Sequence, residues 1–208
     1  MEENQVFAEY QGFDSLVIAE VEKDNNVEGE GYVTGEVLTL APAGEIDKST
    51  PNDSTTKYYD NKAFLVVSSE GADEVSLVTP QLPISQIARI TGKPMDEATG
   101  ALLDTGEPVV KYFAMGYRLK FTDGSYRYVW RHKGTFKLGN DTAKSSDDTT
   151  DSNNQTLTYT GITTSHNFAK TGKGSKAIVV DERDKKADVS TWFEEVITPD
   201  NIKAKTTV

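Results

Sequence analysis

The chain holds only two imidazoles, His132 and His166, and neither lies in a pattern that would use it as a catalytic base. A serine nucleophile needs a sharp Gly-x-Ser-x-Gly elbow, and no such string occurs. His132 is read as closing a core hairpin and His166 as a strand-end residue. Asp147, Asp148 and Asp151 gather carboxylates in one polar stretch. An EF-hand loop also requires Gly at its sixth position and a bidentate Glu at its twelfth; both are missing, so these acids read as a solvated loop. Gly172-Lys173-Gly174-Ser175-Lys176 has the composition of a phosphate loop without its Gly-x-x-x-x-Gly-Lys-Ser/Thr spacing, and reads as a turn. With no cysteine there is neither a disulfide framework nor a thiolate metal site. The expectation is a protein that is not an enzyme, with no catalytic, cofactor-binding or metal-binding residue.

What remains is charge. The first thirty residues carry nine acids against the single base Lys23. By contrast, the segment KYFAMGYRLKFTDGSYRYVWRHKGTF, 111–136, is basic and aromatic. Asp123-Gly124 suits a tight type I′ hairpin turn. Pairing Thr122 with Ser125 sets Leu119 opposite Tyr128 and Tyr117 opposite Trp130. One face then collects Phe113, Met115, Tyr117, Leu119, Tyr128 and Trp130, and the other Arg118, Lys120, Arg127 and Arg131. The basic face would meet the acidic N-terminal region, either of the same copy or of a neighbouring one; both arrangements fit. A net charge of -11 opposes general binding to nucleic acid.

The elements that position these residues are mostly strands. Short bursts of aromatic and β-branched residues predict strands at 15–22, 31–40, 156–164 and 177–181, with a hairpin of 63–69 and 74–79 joined around Glu70–Asp73. Pro83 opens a helix with an Ile84, Ile87, Ala88 stripe, Arg89 in its last turn and a left-handed stop at Gly92. A second helix is predicted after Asp188, where Val189, Trp192, Phe193 and Val196 fall at i, i+3, i+4 and i+7. Residues 41–62 and 138–155 read as long polar loops, and 201–208 as a flexible tail. The result is a single mainly β domain over 1–208, a two-sheet sandwich or barrel with helical flanks. The N-terminus MEENQVFAEY has no apolar run of signal length and no stretch suits a membrane span, which predicts a soluble chain made in the cytoplasm.

Segments 90–104, 111–136, 155–168, 177–184 and 190–200 resemble the major tail proteins, or tail tube proteins, of siphophages that infect Gram-positive bacteria. The strings Gly-Tyr-Arg and Tyr-Arg-Tyr-Val-Trp of the hairpin are the most specific part, and the likeness spans most of 90–200. It implies a two-sheet sandwich with a flanking helix, in subunits that form hexameric rings stacked into a hollow tube. Strands of six subunits would join edge to edge around a lumen through which viral DNA leaves without specific binding. Strands at 31–40, 63–69, 111–121 and 125–133 would make the inner sheet. Partners would be further copies, with tape measure, tail terminator and distal tail proteins, and the location would be the virion tail, assembled in the host cytoplasm. Loop 41–62 would reach an adjacent subunit, making Tyr58 and Tyr59 candidate contacts beside Arg118, Lys120, Arg127 and Arg131. The competing readings are another ring-forming virion or secretion-tube protein, a head-tail joining or decoration protein, and a nucleic-acid-binding β module.

Overall fold

A computed structural model describes residues 7–27, 31–107, 109–140 and 154–205. As the strand-forming bursts predict, it is mainly β, an antiparallel sandwich with one α-helix. The strands are β1 (Tyr10–Asp24), β2 (Tyr32–Thr34), β3 (Leu38–Thr39), β4 (Glu45–Ser49), β5 (Asn52–Tyr59), β6 (Lys62–Glu70), β7 (Asp73–Thr79), β8 (Phe113–Phe121), β9 (Tyr126–Leu138), β10 (Gln155–Gly161) and β11 (Ala177–Asp181). Helix α1 spans Ile84–Thr91, and Glu182–Asp184 forms a 3-10 turn. The main sheet runs β2-β1-β8-β9-β10-β7-β4, with β3 on β1 and β11 on β9; among the described residues β5 and β6 pair only with each other.

The long strand β9 organises this sheet. One edge pairs with β8, while the other serves β11 along Arg127–Arg131 and β10 along Gly134–Leu138. Gly134, opposite Gly161, stands where β10 takes over from β11 as the partner. A Cβ there would lie 2.4 Å from the Tyr159 ring and 2.5 Å from the Thr160 carbonyl oxygen. Tyr159 cannot move away, because it is fully buried and its hydroxyl donates to Phe113 O at 2.9 Å. Gly134→Ala should therefore cost about 1–3 kcal/mol through overpacking, read as a lower urea midpoint; an unchanged midpoint would show that β9 and β10 are free to part.

Alternation along β1, β8 and β9 buries both faces of this layer. On one side Leu16, Ile18, Phe113, Met115, Tyr117 and Val129 pack against Val75, Leu77, Leu157 and Tyr159 of β7 and β10, closed at one end by Leu82 and Ile90. On the other, Val17, Ala19, Ala114, Tyr128 and Trp130 pack beneath Trp192, Val196 and Ile197.

The β8–β9 register differs by one residue from the predicted one. Gly124 sits at φ 84 and its N–H donates to Phe121 O, while Phe121 N donates to Ser125 O. This is a three-residue turn ending in a left-handed glycine rather than the two-residue type I′ form. Arg118 consequently pairs with Tyr128 and Tyr117 with Val129. A slip of one residue moves a strand's side chains to the opposite face, so Tyr128 and Trp130 leave the Phe113 face and the single basic face does not form.

Other expectations are corrected as well. Segment 31–40 forms two short strands on β1. The loop expected at 41–62 contains β4 and β5, and 63–69 pairs with β5 rather than 74–79. It is therefore outside the main sheet and cannot belong to an inner sheet with β8 and β9. Strand 156–164 is shorter at its end, since β10 stops at Gly161, whereas β11 matches its prediction. Gly92 adopts the expected left-handed stop at φ 70. In α1, Ile84 is exposed and Ile90 is the buried anchor, shifting the apolar stripe.

After Asp188 there are turns instead of a helix. Trp192 N donates to Val189 O and Glu194 N to Thr191 O, while the Trp192 carbonyl accepts from Trp130 Nε1 at 2.8 Å. A helix would need that carbonyl for Val196 N. The expected tail is pinned through Lys205, because Lys205 N donates to Lys186 O and Asp188 N to Lys203 O. Of loop 138–155, Leu138 ends β9 and Gln155 begins β10; Asp147, Asp148 and Asp151 lie outside the described residues.

Candidate assembly surfaces

The β5–β6 hairpin is a projecting arm. Thr55, Thr56, Val66 and Val67 are β-branched and favour extended backbone. Asp60 and Asn61 take φ 49 and 60, the two positive values a two-residue type I′ turn requires. Every residue of both strands is exposed, so the hairpin contributes nothing to either core. Its apolar side chains are nevertheless large: Tyr58, Tyr59, Phe64, Leu65, Val66 and Val67, with Phe64 76% exposed. Tyr59 and Phe64 pack edge to face near the tip, ring centroids 5.4 Å apart. An isolated two-stranded hairpin is marginal in water, and an apolar patch with open strand edges marks a surface that meets a partner.

The arm is anchored at its root. Gly71 N donates to Pro51 O at 2.8 Å. Beneath this link lies buried Asp73, which accepts from Thr50 Oγ1 at 2.8 Å and from the Arg131 guanidinium, with Lys48 Nζ at 3.8 Å. Arg131 also donates to the Tyr117 hydroxyl at 3.1 Å. Burial alone would raise the Asp73 pKa; the Thr50 hydrogen bond and the Arg131 and Lys48 charges outweigh it and leave the group below its ordinary value.

Beside this root a groove of about 580 Å³ opens between β4 and the β1, β8, β9 and β11 strands. Tyr10, Phe13, Ile46, Leu119, Val129 and Val179 line it. It is the mouth of the first core, where Phe13, Ile46 and Leu119 are only partly covered. Two unpaired strand edges border it: among the described residues β4 pairs only with β7 and β11 only with β9.

The structure divides the predicted basic face and occupies much of it. Arg118 and Lys120 share a face with Tyr126 and Tyr128, whereas Arg127 and Arg131 share the other with Tyr117 and Leu119. Arg118 Nε donates to Asp14 at 2.5 Å and Arg127 Nη2 to Asp181 at 2.9 Å. Arg131 is spent on Asp73, and Lys120 is exposed. Intramolecular pairing also takes up N-terminal acids: Glu20 meets Lys111 at 2.9 Å and Asp24 meets Lys133 at 2.5 Å. Changing Arg118 or Arg127 to Glu would break internal pairs before it reached any neighbour. The split faces also weaken the case for a basic nucleic-acid platform.

His132 and His166 fill structural positions. His132 is wholly buried, its Nε2 3.0 Å from Ile197 O. Burial pushes its pKa down to about 4, against smaller opposing effects from the Ile197 and Ser175 backbones. His166 Nδ1 lies 3.0 Å from Asn25 O, and its ring meets Phe168 edge on. The turn expected at Gly172–Lys176 falls earlier: the N–H of Gly172, a residue at φ 65, closes a turn onto Phe168 O, Lys173 bridges back to Phe168, and 174–176 lead into β11. Among the described residues no group of three or more His, Asp or Glu side chains is placed to hold a metal ion, and no helix is long and apolar enough to cross a membrane.

Comparison with known protein families and with curated proteins finds no match to this chain. Its surfaces must speak for themselves. Tyr58 and Tyr59 are on the arm as expected of contacts, but Phe64, Leu65, Val66 and Val67, assigned by sequence to a body hairpin, are its main apolar residues. The signal that could have found them is Asp60-Asn61, a hairpin-turn pair between strand-forming runs.

Proposed function

We propose that this protein is a structural subunit that polymerises with itself as a tail tube protein does, six copies to a ring and rings stacked into a hollow conduit for viral DNA. The observation that carries this reading is the arm: six large apolar side chains on a hairpin with no core of its own. Unpaired edges at β4 and β11 support it, since edges that are a hazard in a monomer are satisfied when copies join. The net charge of -11 suits a conduit, because DNA phosphates find few cations to hold them. In this reading the protein is not an enzyme, its place is the virion tail, and tape measure, tail terminator and distal tail proteins meet the tube along its length or at its ends.

Negative-stain electron microscopy over a concentration series tests the proposal. Rings and tubes with a central channel are expected from the unaltered chain, and none from Val66→Asp, which places a charge on the exposed arm without touching either core. Unaltered protein that stays monomeric at every concentration would overturn the reading.

A further inference from the structure

Resting on that self-assembly reading, we infer that the apolar tip of the β5–β6 arm of one copy docks into the β4–β11 groove of another. Each surface lacks what the other carries. The groove is an uncovered opening into the first core, lined by Tyr10, Phe13, Ile46 and Val179, with Val179 56% exposed. The arm leaves Tyr59, Phe64 and Val66 largely exposed, with Tyr59 and Phe64 in edge-to-face contact near its tip. Burying apolar surface from both sides at once stabilises the contact roughly in proportion to the area covered. Strand β4 adds an unpaired backbone edge along the groove, through Glu45, Ile46 and Lys48, to which an incoming strand can hydrogen-bond.

A copy cannot satisfy its own groove. The arm springs from the groove's rim, since Thr50 and Asp73 at its root adjoin Lys48 and Arg131 of the lining. Nine residues of strand at ~3.3 Å each carry the tip on the order of 30 Å away, and the β5–β6 ladder runs to Tyr59 and Lys62 beside the turn. The occupant is therefore the arm of a second copy. Because arm and groove are different surfaces, the contact is head to tail, and each copy offers one of each; such contacts propagate into rings or filaments.

The chain has no cysteine, so single cysteines report the contact cleanly. Phe64→Cys and Val179→Cys both fall on exposed positions and should leave folding intact. Mixed under mild oxidation, they should form a disulfide-linked heterodimer roughly tenfold faster or more than Phe64→Cys mixed with Glu97→Cys, as expected for a bound rather than a collisional pair. Equal rates for the two mixtures would overturn the inference. So would Phe64→Cys alone linking as fast as the mixture, which means arm on arm, or a double variant closing within one molecule at high dilution. Tubes without the heterodimer would sink this contact and leave the tube reading standing; the heterodimer without rings or tubes would do the reverse.

Discussion

Asp73→Ala should lower stability by about 3–5 kcal/mol, the usual result of leaving one member of a buried ion pair without its partner. The Asp73 and Arg131 side chains are only 5% and 6% exposed. Removing the carboxylate strands the guanidinium and releases Thr50 at the root of the arm. Urea unfolding at pH 7 reads the loss. A double variant, Asp73→Ala with Arg131→Met, should recover part of it, because the stranded charge goes too; a double variant no better than Asp73→Ala would show that the pair is not the source. The pH dependence has a definite sign. The folded pKa of Asp73 lies below its unfolded value near 3.9. Its contribution is therefore complete above about pH 4 and is lost as pH falls through the folded value.

His132 should dominate a separate, higher window. Its pKa drops from 6.5 to about 4 on folding, so between those values the unfolded chain holds a proton that the native protein refuses. Stability should fall progressively as pH drops from about 6.5 to about 4, by roughly 3 kcal/mol in all. The imidazole sits between β9 and the segment ending in Ile197, and protonation would put an unpaired charge into that seam. His132→Gln should flatten the slope in this window while leaving the loss below pH 4, where Asp73 acts. Equal slopes for the two proteins between pH 6.5 and pH 4 would refute the assignment.

These two groups were not equally visible in the sequence. His132 follows a run of alternating aromatics, which justified placing it at a core hairpin rather than in a catalytic site. The sequence places Asp73 in a turn between 63–69 and 74–79. It is a hub only because β6 leaves the body with β5, bringing Thr50 and Asp73 together beneath the arm. Local composition does not encode that divergence. The Ser, Thr and Asn content of 50–56 reads as loop, although threonine is also a good strand former when a matching partner strand lies opposite.

Residue types alone make legible that strands dominate, that one helix stops at Gly92, that β11 covers 177–181, and that Phe113, Tyr117, Tyr128 and Trp130 are buried. Each follows from periodicity or from a residue's own backbone preference, which act over a few positions. Long-range packing chose the β8–β9 register, the arm and the turns after Asp188. Asp123-Gly124 fits both a two- and a three-residue turn, and the one-residue difference exchanges the faces of a strand. Core contacts on both sides select between them. The spacing of Val189, Trp192, Phe193 and Val196 suits a helix, yet Trp130 Nε1 takes the Trp192 carbonyl from across the fold. In each case several local conformations are close in energy, and contacts between residues far apart in the chain choose one.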